Sequence, residues 1–589
     1  EVNQNRQSTW YSFASHVPKF PNELCIWSRE KNYTWQETHD LALQWAQFFL
    51  SQGVAPGDMV ATYLMNNADF LVIWLGLWCI GCAPAMLNYH LKGEALLHCL
   101  RISGVKVCLV DQDPECQARF LESKEQIETE LGVKNFLLDD ALLGEVRRQG
   151  VLDPGDAYRQ GVKGSDPTCL LYTSGTTGLP KAGAYTVSRY HERGAPDMLP
   201  FEQRAGPGGD RWYCSMPLFH GTGGLACMGA LTWGCSVAVG KKFSVSTFWD
   251  DIADSEASMF VYVGEAARYL LMAPKHPRER LHPRLRGMYG NGMRPDVWER
   301  FKERFDVPQV IEFFNSTEGV LGMAIYSKGP FTANCVGQFG AILRRDLHDV
   351  LVPVQVDPET GAVVRDPATG WVKRNSYNEG GEILVQVPTE KAFAGYYNNS
   401  AATSKKFERD VFRKGDLFYR SGDALRRDED GRWFFLDRLG DTYRWKSENV
   451  STAEVAEVLG RYPGVGEAIV YGVLVPKHDG RAGCVALRLE DGVSAKAFDF
   501  RALLQYARSK LPKYAVPVFI RLVQVASNTD NQKQNKTPLR EEGVELEKFG
   551  ARVVGGGEDV VLWTKPGMET YERFTLTELE MLRDGKLVL

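Results

Sequence analysis

Apolar positions along this chain fall into short runs separated by stretches of helical spacing. "GVKVCLV" (104–110), "PTCLLYTS" (167–174), "GCSVAVG" (234–240) and "MFVYVGE" (259–265) are apolar, mostly β-branched and bounded by turn residues. That pattern predicts buried strands. "EALLHCLRISG" before the first run and "FWDDIADSEA" before the last carry the three- and four-residue spacing of amphipathic helices. Alternating strands and helices predict an α/β architecture with mostly parallel sheets.

The pattern changes near Arg438. "GGEILVQVP" (380–388) and "GRWFFLDR" (431–438) are short strands between Gly and charged turns. After them, "STAEVAEVLGRY" (451–462) opens with a Ser cap and a Glu three residues on, a helix start. "GEAIVYGVLVP" (466–476) reads as a strand pair and "FDFRALLQYARSKLP" (498–512) as an amphipathic helix. The expected organisation is a large N-terminal domain (1–438), a small α+β domain (439–545) and a tail packing back on the protein (546–589).

Residues 70–91 carry no Asp, Glu, Lys or Arg, and about 20 apolar residues suffice to cross a bilayer. Gly76, Gly81, Pro84 and Asn88 interrupt the span, so a buried helix running into a buried strand is the expectation.

Composition narrows the class. A chain of 589 residues, 44% hydrophobic, supports at least two domains. A net charge of −5 without a clustered basic face gives no sign of a nucleic-acid partner. The 12 Cys form no framework, and Cys79 and Cys82 lie in an apolar run without a second pair. Buried structural thiols in a reducing, intracellular compartment fit that usage. The chain opens on Glu1, which leaves room for an upstream segment, and no signal peptide is visible. Residues 586–589 are not an SKL-type peroxisomal signal.

The stretch "LLYTSGTTGLPKAGAY" (170–185) carries chemistry. Its glycines let backbone N–H groups approach a ligand, its Thr and Ser add hydroxyl donors, and Lys181 adds a charge. Together they make a phosphate cradle. It is not a P-loop, because Lys181 follows Gly178 by three residues. "YGNGMR" (289–294) can lay backbone against a flat ring, "FFNSTEG" (313–319) groups an aromatic, a hydroxyl and a carboxylate, and "YRSGD" (419–423) ends a strand with an Asp suited to ribose hydroxyls. "LDRLGD" (436–441) offers an Arg at the domain boundary.

The order of these motifs resembles the adenylate-forming superfamily, which contains acyl-CoA synthetases, peptide-synthetase adenylation domains and beetle luciferases. More narrowly, "FVYVGEAARYLL" (260–271), "YGNGMRPDVWERFKERF" (289–305), "DTYRWKSENVSTAEV" (441–455) and "LPKYAVPVFIRL" (511–522) resemble the fatty acid transport protein / very-long-chain acyl-CoA synthetase family. The likeness runs from about Tyr11 to the final helix. It implies large α/β sheets plus a distorted β-barrel, and a small mobile C-terminal domain hinged at Gly440.

The resemblance also implies a reaction in two steps. A carboxylate and ATP give acyl-AMP and pyrophosphate, and a thiol then attacks acyl-AMP. Negative charge gathers at the α-phosphorus, so catalysis is mostly positioning and electrostatic stabilisation. By match to the family, Thr173, Ser174, Gly175, Thr176, Thr177, Gly178 and Lys181 hold the β- and γ-phosphates. Thr317 touches the α-phosphate, and Glu318 holds Mg²⁺. Phe314 lies on adenine where many relatives carry Tyr, with Asn291, Gly292 and Met293 on its other face and edge. Asp423 and Arg438 bind ribose. His220, in "PLFHGTGG" (217–224), positions the carboxylate. Lys533 brings a charged donor to the α-phosphate, with Lys536 as the alternative. Ser447, where relatives commonly have Gly, lines the tunnel for the pantetheine arm.

The implied cofactors and substrates are ATP, Mg²⁺, CoA (or a carrier-protein phosphopantetheine) and a carboxylic acid, foremost a long- or very-long-chain fatty acid; an aromatic or steroid-like acid fits the same motifs. Relatives of this kind often sit on membranes, so membrane-surface association at the endoplasmic reticulum or peroxisome belongs to the expectation. Two rival readings are an acyl-AMP ligase loading a separate carrier protein and a membrane fatty acid transport protein. A luciferase-like oxygenase is compatible with the short motifs but not favoured by the long family segments.

Overall fold

The computed structural model describes residues 6–173, 179–194, 202–316, 319–357, 360–439, 441–446, 448–478, 480–523, 536–547, 560–587 and 589, without the side chains of 192–194, 392 and 449. A large N-terminal domain of three sheets is followed by a smaller C-terminal domain.

One six-stranded sheet has the order Lys134–Leu138, Val107–Asp111, Met59–Tyr63, Ala83–Met86, Pro167–Thr173, Lys181–Thr186. Its strands are parallel except for the last, antiparallel pair. An eight-stranded sheet runs Gly322–Ser327, Gln309–Asn315, Gly287–Asn291, Met259–Val263, Arg211–Cys214, Ser236–Val239, Leu24–Ser28, Tyr33–Thr34. It is parallel in its middle and antiparallel at both edges. All four strands expected from the apolar runs are present, and so are the helices Gly93–Ser103 and Phe248–Asp254.

The charge-free span forms the helix Ala68–Cys79, buried along its whole length, followed by the buried strand Ala83–Met86. Asn67 caps the helix by accepting from the Phe70 N–H, and Gly76 packs so closely that a Cβ would lie 2.8 Å from the Ala42 carbonyl. No described helix is long and apolar enough to cross a membrane. Every cysteine is buried, and burial pushes the Cys79 and Cys82 thiols up to about 12.

The third sheet is antiparallel, with the order Gly337–Gln338, Arg432–Arg438, Leu417–Arg427, Gly381–Gln386, Leu351–Val354; Phe407–Arg409 also pairs with Leu417–Arg427. It stands where the distorted barrel is expected, and no closed circuit of pairing is present among the described residues.

In the C-terminal domain, Val465–Leu474 pairs with Arg481–Leu489 over the full length of both strands. The stretch expected to be a strand pair is therefore one strand. Gly472, inside this strand, admits Tyr443, since a Cβ there would meet the Tyr443 Cβ at 2.5 Å. The sheet continues through Phe519–Leu522, Val560–Trp563 and Glu572–Arg573. The helix Phe500–Lys510 covers it as its spacing predicts. The tail thus supplies an antiparallel strand, Val560–Trp563, and a helix, Leu576–Asp584, to the small-domain core.

Candidate active site

Five of the expected phosphate-loop residues, Ser174, Gly175, Thr176, Thr177 and Gly178, lie outside the described residues, as do Thr317, Glu318, Gly440, Ser447 and Lys533. Their flanks are described. Thr173 and Lys181 face each other across the antiparallel pair that brackets the loop. Lys181 Nζ lies 5.0 Å from the centre of the Tyr396 ring. His98 Nε2 donates to the Pro180 carbonyl at 3.0 Å, holding the loop's end.

The parallel strand Gly287–Asn291 ends at Asn291, and the chain turns through Gly292 at φ +77°. Thr222 donates to Asn291 Oδ1 at 3.2 Å, which ties this turn to the start of the helix Gly221–Thr232. A Cβ on Gly264 would lie 1.7 Å from the Gly292 carbonyl oxygen, so only glycine lets the helix Gly264–Met272 begin there. Beneath the turn sits Glu312, which sequence reasoning missed. Its Oε1 accepts from the Gly292 N–H at 2.5 Å and the Met293 N–H at 3.1 Å, and the Tyr262 hydroxyl donates to Oε2. Burial pushes the carboxyl up to about 8, against the pull of those hydrogen bonds.

Phe314, half-buried on the neighbouring strand Gln309–Asn315, faces Phe435 with ring centroids 6.1 Å apart. Phe435, 39% exposed, is a second missed residue. Asp423 and Arg438 are cross-strand partners, with Arg438 Nε 4.0 Å from Asp423 Oδ1. Asp423 does not end its strand as expected. Leu417–Arg427 runs on through Gly422, at φ +76°, with a register shift between Ala424 and Leu425. The buried Glu382 accepts from the Gly422 N–H at 3.0 Å and pairs with Arg420 at 2.6 Å, so a second buried glutamate fixes this turn.

His220 is the N-cap residue of the 12-residue helix Gly221–Thr232. A helix start favours a carboxylate nearby, and Thr222 places it beside Asn291. Arg189, on the helix Val187–Gly194, stacks 4.3 Å above Tyr185 and donates to Asn315 Oδ1 at 2.9 Å and the Ser316 carbonyl at 2.6 Å. It anchors the chain just ahead of Thr317 and Glu318. The described residues contain no cluster of three metal-ligating side chains.

The lysine alternatives separate. Lys536 donates to Thr452 Oγ1 at 2.7 Å and pairs with Asp441 Oδ2 at 3.1 Å. All three follow Gly440, so Lys536 is held inside the small domain. From the N-terminal side of residue 440, Asp437 Oδ2 accepts from the Thr452 N–H at 2.7 Å and its hydroxyl at 3.0 Å, capping the helix Thr452–Gly460.

A family model described as "AMP-binding enzyme" matches residues 13–397, and one described as "AMP-binding enzyme C-terminal domain" matches residues 454–533. The chain belongs to the AMP-binding enzyme family. Among relatives of this family member, a protein called Isopenicillin N epimerase component 1 from Hapsidospora chrysogena is 43% identical over 587 residues, 99% of this chain and 90% of that one. A Very long-chain fatty acid transport protein from Cochliobolus heterostrophus is 36% identical over 595 residues, 100% of this chain and 89% of that one. The anthranilate CoA ligase AuaEII, solved in complex with anthranoyl-AMP, shares the fold, with a TM-score of 0.73 at 19% identity, covering 91% of this chain and 96% of that one.

Proposed function

We propose that this AMP-binding enzyme is an AMP-forming acyl-CoA synthetase that activates a carboxylic acid, foremost a long- or very-long-chain fatty acid. The observation that carries the reading is the family match over residues 13–397 and 454–533. The local geometry is compatible with it: Thr173 and Lys181 bracket the phosphate loop, the backbone turns at Gly292, Phe314 faces Phe435, and Asp423 pairs across strands with Arg438. In this reading Lys181 and the loop it closes neutralise the triphosphate, and Arg189 holds the segment that leads to Thr317 and Glu318. Glu318 would hold Mg²⁺, which would supply charge neutralisation for the triphosphate. His220 and its helix start orient the acid for in-line attack on the α-phosphorus. Lys533 supplies the charged donor of the first step; the fixed position of Lys536 supports that choice. CoA attacks in the second step, past Ser447. The division at 438/439 and the tail from 546 are retained, as is contact with a membrane surface at the endoplasmic reticulum or peroxisome.

The Hapsidospora relative favours a second reading of the substrate, in which the acid is of the isopenicillin N type. The chemistry is coherent, because a thioester acidifies its α-carbon where a carboxylate does not. A carrier protein as acyl acceptor is the alternative to CoA. Transport through a helical pore has no support among the described helices.

The test is pyrophosphate release with Mg-ATP and a panel of fatty acids, aromatic acids and isopenicillin N, with thioester measured in the presence and absence of CoA. Pyrophosphate plus acyl-CoA for long chains supports the main reading. Pyrophosphate for isopenicillin N alone moves the substrate to the second. Acyl-AMP accumulating despite CoA points to a carrier protein, and no pyrophosphate for any acid refutes the proposal.

A further inference from the structure

The hairpin ahead of the helix Thr452–Gly460 is short. Tyr443–Trp445 pairs with Glu448–Val450 as a separate two-stranded sheet. A hairpin of this size is marginal by itself in water, yet Tyr443 and Trp445 are both buried. Two contacts hold it to the small domain. At its base, Tyr443 seats against Gly472 and Gly483, where a Cβ would collide with it. Nearer its loop, Trp445 forms an antiparallel bridge with Gly480. Gly480 has φ +77°, and a Cβ there would collide with the Arg444 carbonyl, so only glycine lets the turn after Val465–Leu474 come this close.

That turn is held in place by the segment 584–589. Lys477, at φ +58°, donates to the Asp584 carbonyl at 3.1 Å. The next residue, His478, uses both ring nitrogens. Its Nδ1 lies 2.9 Å from the Pro476 carbonyl, and a carbonyl only accepts, so Nδ1 carries the proton. Nε2 is then the acceptor, and the Leu589 N–H donates to it at 2.9 Å. The same ring lies 6.0 Å from the Trp445 ring. Leu587 and Leu589 are buried in one core with Tyr443, Trp445 and Val475. His478 therefore touches the hairpin through Trp445 and the segment 584–589 through Leu589, although these lie more than a hundred residues apart in sequence.

We propose that the segment 584–589 braces the hairpin 443–450 through His478, and that His478 and Leu589 are positioning residues for the thiol-transfer step. The inference rests on reading the hairpin loop at Ser447 as part of the path of the attacking thiol. A loop held only at its base must be ordered each time the thiol binds, and a brace removes that cost in advance. The charged donor of the first step, Lys533, belongs to a different segment of the small domain. Loosening the brace should therefore weaken the second step and spare the first.

The experiment uses the full chain, the acid that releases pyrophosphate in the panel above, and the acyl-AMP of that acid. It measures pyrophosphate release, thioester formation from supplied acyl-AMP across CoA concentrations, and the thermal midpoint, in the unmodified enzyme and in His478→Phe, His478→Gln and Leu589→Ala. His478→Phe keeps a ring beside Trp445 but offers Leu589 no acceptor. It should raise KM for CoA about fivefold or more and keep pyrophosphate release within about twofold. His478→Gln puts an amide oxygen near the place of Nε2 and should keep KM for CoA within about twofold of the unmodified value. Leu589→Ala should resemble His478→Phe, and the His478 variants carry the test if it does not fold. No pyrophosphate from any acid overturns the proposed function, and the brace with it. An unmodified enzyme that releases pyrophosphate but transfers nothing from acyl-AMP to CoA overturns the CoA step and this role in it. Where transfer occurs, an unchanged KM for CoA in His478→Phe overturns the brace alone. Equal losses in both steps with a lowered midpoint also overturn it, because the segment would then support only the fold.

Discussion

Replacing Lys536 and Lys533 one at a time separates a structural lysine from a catalytic one. Lys536 Nζ is 3.1 Å from Asp441 Oδ2, with its side chain 13% exposed. At an effective dielectric constant of about 20, such a pair attracts by about 5 kcal/mol before desolvation is subtracted. Asp441 also pairs with Arg540 at 2.7 Å, so losing Lys536 leaves that carboxylate partly compensated. Lys536→Ala should therefore cost about 1–2 kcal/mol of small-domain stability and leave pyrophosphate release within about threefold. Lys533→Ala removes the proposed charged donor from the α-phosphate and should lower that rate by about 10²–10³. Thioester formation from supplied acyl-AMP should survive in both. The assay is pyrophosphate release at saturating ATP and acid, with a thermal midpoint for each variant. A Lys536→Ala enzyme that keeps its midpoint but loses adenylation a hundredfold, beside an active Lys533→Ala enzyme, refutes the assignment.

Other consequences follow from single contacts. Phe314→Ala should raise KM for ATP about tenfold through lost stacking, measured by pyrophosphate release, with a smaller effect on KM for the acid. Arg268 joins Glu265 at 2.8 Å and Glu467 at 2.7 Å in a buried contact between the domains; Arg268→Ala should destabilise by about 3–5 kcal/mol, because it strands two carboxylates, and a calorimetric midpoint equal to the unmodified protein's would disprove this. Glu312, raised by burial from 4.5 to about 8, binds its proton more tightly folded than unfolded between those values. Its contribution to stability is full below about pH 4.5 and is lost as pH rises through about 8. The midpoint of Glu312→Gln relative to the unmodified protein should therefore climb from pH 5 to pH 8, and a flat difference would count against the raised carboxyl.

Residues whose neighbours in sequence are also their neighbours in space were legible; the others were not. The apolar runs gave strands at Val107–Asp111 and Met259–Val263 because a strand's burial is written in its own composition. Asp423 and Arg438 were read from two separate motifs, and the structure pairs them across Leu417–Arg427 and Arg432–Arg438; their proposed ribose role is a further step. The strand pair expected over 466–476 is one strand, and its Gly472 admits the bulky Tyr443 rather than making a turn. Glu312 and Asp437 went unread because each acts on backbone far away in sequence, Gly292 and Thr452 respectively. A weak signal existed for Glu312, the lone charge in "QVIEFFN" (309–315). Ser447, read as a tunnel residue, lies outside the described residues, so its role stays a proposal.

The turn at residues 291–293 and the seat of the small domain adjoin each other. Met293 is followed by Arg294, whose guanidinium donates to the Ala456 carbonyl at 2.7 Å, in the middle of the helix Thr452–Gly460. The helix that starts at Gly264 against the Gly292 carbonyl carries Arg268 to Glu467 and to the Gly466 carbonyl, at 2.7 and 3.0 Å. Gly460 belongs to the same seam, where a Cβ would meet Arg294 at 2.6 Å and Asp296 at 2.7 Å. One side of the turn is therefore continuous with the interdomain contact. In a two-step enzyme the small domain must leave one seat for another, and leaving this one breaks the Arg294 and Arg268 bonds together. The cost of that departure falls on residues adjoining the turn 291–293.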